Sequence, residues 1–216
     1  MKETDMSRED KDVLRGLQHE VLGLLFHWRI FIQMYGASEE NIDVLKGVAD
    51  EFFGTVQQLL WDHVLLTIGK LTDPAETLTK QENLSVEKAI NLLSSHETGF
   101  EIKDLKAKLE TLREKCRLIK KIRHKRLAHF GKEYMIDRLS QTPLPGVNRT
   151  TVEESLTLII EIMNAVEKGF GTAKLIYSLP ERPVGEDLIW YLKESGSYRE
   201  VRDKAKNKKM KDLGFK

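Results

Sequence analysis

The 216-residue sequence predicts an all-α fold, an antiparallel bundle of about five main helices with an additional short C-terminal helix and a basic tail. Three observations predict it. Apolar residues recur at intervals of three and four through most of the chain; no segment shows the two-residue alternation of a half-buried strand; and the breaks between periodic stretches fall on Gly, Pro and capping Ser or Thr. With 40% hydrophobic and 32% charged residues, the chain can bury one substantial core. We expect a helical domain over residues 1–180 and a C-terminal extension over 181–216.

The first helix is expected from Arg8 to Tyr35, with Val13, Leu17, Val21, Leu24, Leu25, Trp28 and Ile32 on one face and Gly36 as its stop. Ser38 offers an N-cap to a second helix, which carries Ile42, Leu45, Val48, Phe52, Val56, Leu59, Leu60, Val64, Ile68 and Leu71 inward until Asp73-Pro74 ends it. The polar stretch from Pro74 to Asn83 reads as a loop, and Ser85 starts a short helix to Leu93 with Glu87 and Lys88 facing out.

A fourth helix is expected from Ile102 to His129, its stripe of Leu105, Leu109, Leu112, Cys116 and Ile119 spaced for packing between antiparallel neighbours. After an irregular stretch through Pro143 and Pro145, Thr150 or Thr151 caps a fifth helix that turns Val152, Leu156, Ile159, Ile160, Met163, Val166, Phe170 and Ala173 inward. Gly169 and Gly171 weaken that helix by roughly 1 kcal/mol each and mark a close helix contact or a bend. Pro180 and Pro183 close the core, and a short amphipathic helix around Asp187 to Lys193 is expected to dock Trp190.

Charge and composition narrow the function classes. Thirty-five basic residues against 34 acidic ones give a net charge of +1, yet the bases crowd from Lys115 to Lys132 and at the C-terminus, so any nucleic-acid surface is local. The single cysteine, Cys116, excludes an intrachain disulfide framework and fits a reducing compartment. The acidic opening does not resemble a secretory or organellar signal, and no apolar run approaches the ~20 residues that cross a bilayer. A cytoplasmic protein with no membrane partner is the expectation.

Most sites of known chemistry fail on spacing. His19-Glu20 lacks the second histidine of the zincin pattern, and His27, His63 and His96 have no carboxylate or histidine partner at ligand spacing, so no metal and no cofactor is expected. Neither Gly36 nor Gly169-Phe170-Gly171 has the strand-to-helix context of a phosphate loop, and no G-x-S-x-G occurs. Cys116 lies on the apolar stripe and reads as an inert core residue. The lysine-rich tail from Arg199 to Lys216 reads as solvated, or as an arm that tracks a nucleic-acid backbone.

One segment stands apart: Arg123-His124-Lys125-Arg126-Leu127-Ala128-His129. Extending the stripe past Ile119 by the same steps lands on Arg123 and then Arg126. A buried, unpaired guanidinium is costly, so such an arginine needs a carboxylate partner, a partner subunit or a polar cleft; the alternative is an arginine that snorkels off the core. The residue types are apt for phosphate chemistry, since arginine forks onto phosphate oxygens while histidine exchanges protons near neutral pH.

An arginine followed by a polar residue and, after five intervening residues, a histidine resembles the motif of HEPN domains, here carried by Arg123, His124 and His129. Trp61-Asp62, Ile68-Gly69-Lys70-Leu71-Thr72-Asp73-Pro74 and Asn83-Leu84-Ser85 extend the likeness to the AbiU-type abortive-infection branch, over roughly Leu14 to Tyr177. The resemblance implies a metal-independent endoribonuclease acting as a homodimer, in phage defence or as a toxin.

In that reading His129 is general acid or base, Arg123 holds the phosphate, and His124 and Arg126 support them. Lys120, Lys121, Lys125 and Lys132 are then the candidates for RNA contact, and an antitoxin or regulatory protein is a possible partner. Some family toxins carry a tyrosine two residues after the histidine that receives AMP; Gly131 stands there, which speaks against that modification. The alternatives are a non-catalytic HEPN module that binds nucleotide, nucleic acid or a partner protein, and a plain helical scaffold.

Overall fold

A computed structural model of the chain describes residues 6–96, 102–124, 146–171, 177 and 183–196. The described residues are all-α, their one β feature being an isolated antiparallel bridge between Glu76 and Glu82. In order come α1 (Arg8–Phe31), running into a π-helical turn (Ile32–Gly36), α2 (Glu39–Leu71), α3 (Val86–Ser95), α4 (Ile102–Lys115), α5 (Arg117–Ile122), α6 (Arg149–Gly169) and α7 over 184–196. No helix among the described residues is long and apolar enough to cross a membrane. The chain forms two compact units, residues 1–27 with 62–179 and residues 28–61 with 180–216.

In the first unit α3, α4 and α6 pack on one another. Ala89, Ile90 and Leu93 of α3, Leu105, Leu109 and Leu112 of α4, and Val152, Leu156, Ile159, Ile162, Met163 and Val166 of α6 are buried. Burying each large aliphatic side chain contributes about 1.5–3 kcal/mol, which is what brings helices of mixed propensity together. Ile162 is buried and Ile160 only half-buried, a shift of the expected α6 face toward α4 and α3.

Gly169 is a contact residue, since a Cβ there would meet Leu93 Cδ1 at 2.6 Å, and Gly171 takes the left-handed φ of 67° that ends α6. The α6 N-cap is Asn148 instead of a threonine: its Oδ1 accepts from Thr151 N at 2.8 Å. Glu167, only 1% exposed, accepts from Gln18 Nε2 of α1 at 2.6 Å and from the Tyr177 hydroxyl at 3.3 Å.

In the second unit Met34, Tyr35, Leu45, Phe53 and Ile189 form a core edged by Ile30, Phe31, Ala49, Leu60 and Leu192. Two backbone irregularities set its register. The π turn adds a residue to the helical ladder, so Gln33, Met34 and Tyr35 are buried in succession, where a straight helix would bury one or two. Ala49 leaves helical geometry at φ −163°, ψ 80°, and resets the phase of α2 so that Phe53 is buried while Phe52 is 62% exposed. The expected inward residues Phe52 and Leu59 are thereby turned out, and Val48, just before the reset, is exposed as well.

Ile189, not Trp190, docks α7: the residue is 4% exposed and Trp190 57%. Gln33 ties the unit, accepting from Gly185 N at 2.9 Å through Oε1 and from Asn41 Nδ2 at 3.0 Å through its carbonyl.

Candidate functional site

The fourth expected helix is two. α4 ends at Lys115, Cys116 departs from helical ψ (φ −82°, ψ 1°), and α5 carries on for six residues to Ile122. Cys116 is buried with Sγ 3.5 Å from Ser155 Oγ, and burial pushes its thiol pKa up, as suits a core residue without redox chemistry. Ile119 and Ile122 anchor α5 in the core. Arg123 and His124 follow in π-type geometry. Lys125, Arg126, His129 and Lys132 lie outside the described residues.

Arg123 has the carboxylate that its place on an apolar stripe demands. Its Nη1 donates to Asp73 Oδ2 at 2.6 Å, with each side chain 24% exposed. Fifty residues separate the partners in sequence, and what joins them is the turn at the end of α2. There Thr72 N donates to Ile68 O at 3.1 Å and Asp73 N to Lys70 O at 3.1 Å. The Thr72 hydroxyl closes onto the same turn, 3.0 Å from Ile68 O and 3.1 Å from Gly69 O.

Lys120, one turn before Arg123, donates from Nζ to Thr72 O at 2.7 Å and lies 3.8 Å from Asp73 Oδ1. Burial lowers its pKa, and the Asp73 charge opposes that shift. Two cations thus share one carboxylate at the negative end of the α2 dipole, where carbonyl groups lack helical partners.

The loop beyond is fixed from the other side. Asn83 donates from Nδ2 to Pro74 O at 2.8 Å and from its backbone N to Ala75 O at 2.8 Å. Ala75 N donates to Glu87 Oε2 at 2.6 Å, and the same carboxylate oxygen meets Arg113 Nη2 of α4 at 2.9 Å. Glu87 is therefore turned toward the loop and α4, contrary to the outward face expected of it. Burial alone would raise its pKa; the Arg113 guanidinium paired with it, the Ala75 N–H and nearby positive charge outweigh burial and hold it low.

Of the sequence-level candidates, Arg123 and Lys120 are brought together with Asp73, while Lys121 and His124 lie exposed beside them. In the sequence Asp73 stands out only as the stop of the second helix and, with Thr72, in the stretch that carries the family likeness. A signal for Asp73 existed: an acidic residue just past a helix C-terminus sits against the dipole and calls for a cation.

The family model for AbiU2 of the HEPN domains matches residues 11–188. No curated protein and no solved structure matches the chain. The match takes in the α2 turn, Arg123, His124 and His129 in one span covering most of the sequence. The chain belongs to the AbiU2 family of HEPN domains.

Proposed function

We propose that the protein is a metal-independent endoribonuclease of HEPN type, serving in phage defence or as a toxin, with a site completed by a second copy of the chain. The observation that carries the reading is Arg123, a charged residue on a core-facing helix end within a chain of this family, flanked by Lys120 and Lys121. RNA brings its own nucleophile, the 2′-hydroxyl. The enzyme has to hold the phosphate, move two protons and stabilise the crowded phosphorane.

Arg123 supplies charge and fork geometry for the phosphate. His129 removes the 2′-hydroxyl proton or gives one to the departing 5′-oxygen, and since one histidine serves one of these roles, the second comes from a two-fold related copy. The products are a 2′,3′-cyclic phosphate and a 5′-hydroxyl. No step calls for a cofactor, and His124 supports the site.

A second reading has an observation in its favour. The Asp73 carboxylate engages one of the arginine's donors, as it would in a HEPN module that binds nucleotide, nucleic acid or a partner protein without cleaving. The two readings separate when the purified protein is incubated with total RNA in excess EDTA and the fragment ends are mapped. We expect cleavage that Arg123→Ala and His129→Ala each abolish while leaving the helical circular-dichroism spectrum unchanged. Full activity in either variant sinks the ribonuclease reading.

A further inference from the structure

An arginine side chain has four rotatable bonds beyond its backbone, and fixing one costs on the order of 2 kcal/mol in rotamer entropy unless the protein has already done so. Arg123 is fixed from two directions. Asp73 holds Nη1 at 2.6 Å, and the stem lies on Gly69 so closely that a Cβ at that position would stand 2.8 Å from Arg123 Cδ and 3.4 Å from Nη1. Gly69 lies in the last turn of α2 and Asp73 four residues on, in the turn that follows Leu71, so the end of one helix presents both the floor and the clamp.

The clamp itself is rigid. The turn bearing Asp73 is closed by Thr72, braced by Asn83 and bound through its Thr72 carbonyl by Lys120 of the same helix that carries the arginine. Among the described residues the guanidinium makes no hydrogen bond besides the one from Nη1. Three elements of charge, Lys120, Arg123 and Asp73, sum to one positive unit, so the cluster still attracts an anion.

We propose that Asp73 is the positioning residue for the phosphate-binding arginine, with Gly69 as the floor that sets the arginine's height. This rests on the reading that Arg123 meets the scissile phosphate. Engaging Nη1 leaves the Nε and Nη2 donors, neither of which makes a hydrogen bond among the described residues, as a pair for two phosphate oxygens, with Nε held over the Gly69 floor 3.5 Å from where a Cβ would stand. Binding RNA then orders nothing that was loose, and the benefit falls in the transition state, where the geometry must hold most closely. A releasable autoinhibitory latch would need a clamp able to swing away, and a turn tied at Thr72, Pro74 and Ala75 is a poor one.

The test uses the full-length protein with Asp73→Asn, Asp73→Glu and Gly69→Ala, and a defined RNA cleaved in EDTA. Positioning predicts that Asp73→Asn lowers kcat by about 100-fold with KM changed less than about twofold, because a small misplacement of a charged group weakens the transition state far more than the bound ground state. Asp73→Glu restores part of the rate. Gly69→Ala, which keeps the carboxylate and lifts the arginine, lowers kcat by about tenfold. A rate in Asp73→Asn equal to or above that of the unaltered chain overturns the proposal, since the carboxylate would then only compete for the guanidinium.

A second readout does not depend on cleavage. In nitrogen-15 spectra the Arg123 guanidinium should show hindered rotation, with separate Nη resonances, in the unaltered chain, and a collapsed signal in Asp73→Asn. Identical spectra in the two proteins overturn the proposal whatever the activity. Hindered rotation in a chain that leaves RNA intact instead retires the ribonuclease reading and keeps Asp73 as the clamp.

Discussion

The two units solve burial in different ways. In the first, helices from distant parts of the sequence are sealed by aliphatic side chains, and the polar groups that cannot avoid the interior are answered across elements: Glu167 by Gln18 and Tyr177, Glu87 by Arg113 and the Ala75 N–H, Arg123 by Asp73. In the second, the core is small and aromatic. The rings of Trp28, Phe31 and Trp61 lie within 5.3–6.1 Å of one another, while Phe52, Leu59, Trp190 and Tyr191 stay more than half exposed. Charge is held in place where helices interlock; apolar surface is left open where two irregular turns set the register. Arg123 lies in the interlocked unit, which is where an orientation can be kept.

The largest expected effect tests the seal itself. Leu112, fully buried on α4, should cost about 2–5 kcal/mol on truncation to alanine, the sum of lost transfer energy and a residual cavity. Leu59, 64% exposed on α2, should change stability by less than about 0.5 kcal/mol on the same truncation. Denaturant midpoints of the two variants check the pair. Equal losses would mean that the open face of α2 is covered in solution and that the contrast between the units is false.

Next comes the polar tie between α3, α4 and the loop. Glu87→Gln should lose about 1.5–3 kcal/mol, the range for hydrogen bonds to a charged group. The pH dependence has a definite sign. The folded carboxyl pKa lies below the unfolded 4.5, so the unfolded chain binds the proton more readily; the contribution is complete above 4.5 and is lost as pH falls through the folded value. Acid titration of stability in the glutamine variant should lack that share of the decline.

In the second unit Tyr35 makes the comparable tie, its hydroxyl donating to Phe53 O at 3.0 Å across the reset of α2. Tyr35→Phe should cost about 1 kcal/mol, a neutral hydrogen bond's share plus an unanswered carbonyl. Burial pushes the phenol from 10.0 up to about 12. The folded form therefore keeps its proton longer than the unfolded one, and stability present below pH 10 drains away between 10.0 and about 12. Alkaline unfolding of the phenylalanine variant should be correspondingly less steep.

How much of this could be read from sequence follows the same division. Helix faces were legible where the helix is straight: Leu105, Leu109 and Leu112 of α4 are buried as their spacing requires. They were misread wherever the backbone slips, at the π turn over Ile32–Gly36 and at Ala49, because periodicity assumes a constant rotation per residue, neither slip contains a proline, and the nearby Gly36 and Gly47 signal a stop or a weak point but not a change of phase. The break at Cys116 escaped for the same reason. At the candidate site the need for a carboxylate near Arg123 followed from charge on an apolar stripe. Its identity did not, since Asp73 and Arg123 meet only through the tertiary packing of α5 on the end of α2.

The smallest expected effect concerns a polar group in the first unit that is left unanswered. His27 Nδ1 is buried without a hydrogen-bond partner among the described residues, and its ring meets the exposed His63 ring edge-on at a centroid distance of 4.7 Å. Burial lowers the His27 pKa below 6.5, and the charge of His63 lowers it further. Protonation is thus easier in the unfolded chain, and stability should fall as pH drops through 6.5 toward the folded value, then level off. His27→Leu removes both the unpaired nitrogen and the titration. It should change stability at pH 7.5 by less than about 0.5 kcal/mol, in either direction, because an unsatisfied polar group is exchanged for an apolar one of similar bulk. Its effect is read in the slope between pH 7 and pH 5, which should flatten against that of the unaltered chain. An unchanged slope would place the acid sensitivity elsewhere and would mean that the interlocked unit answers this histidine in solution as it answers Glu167 and Arg123.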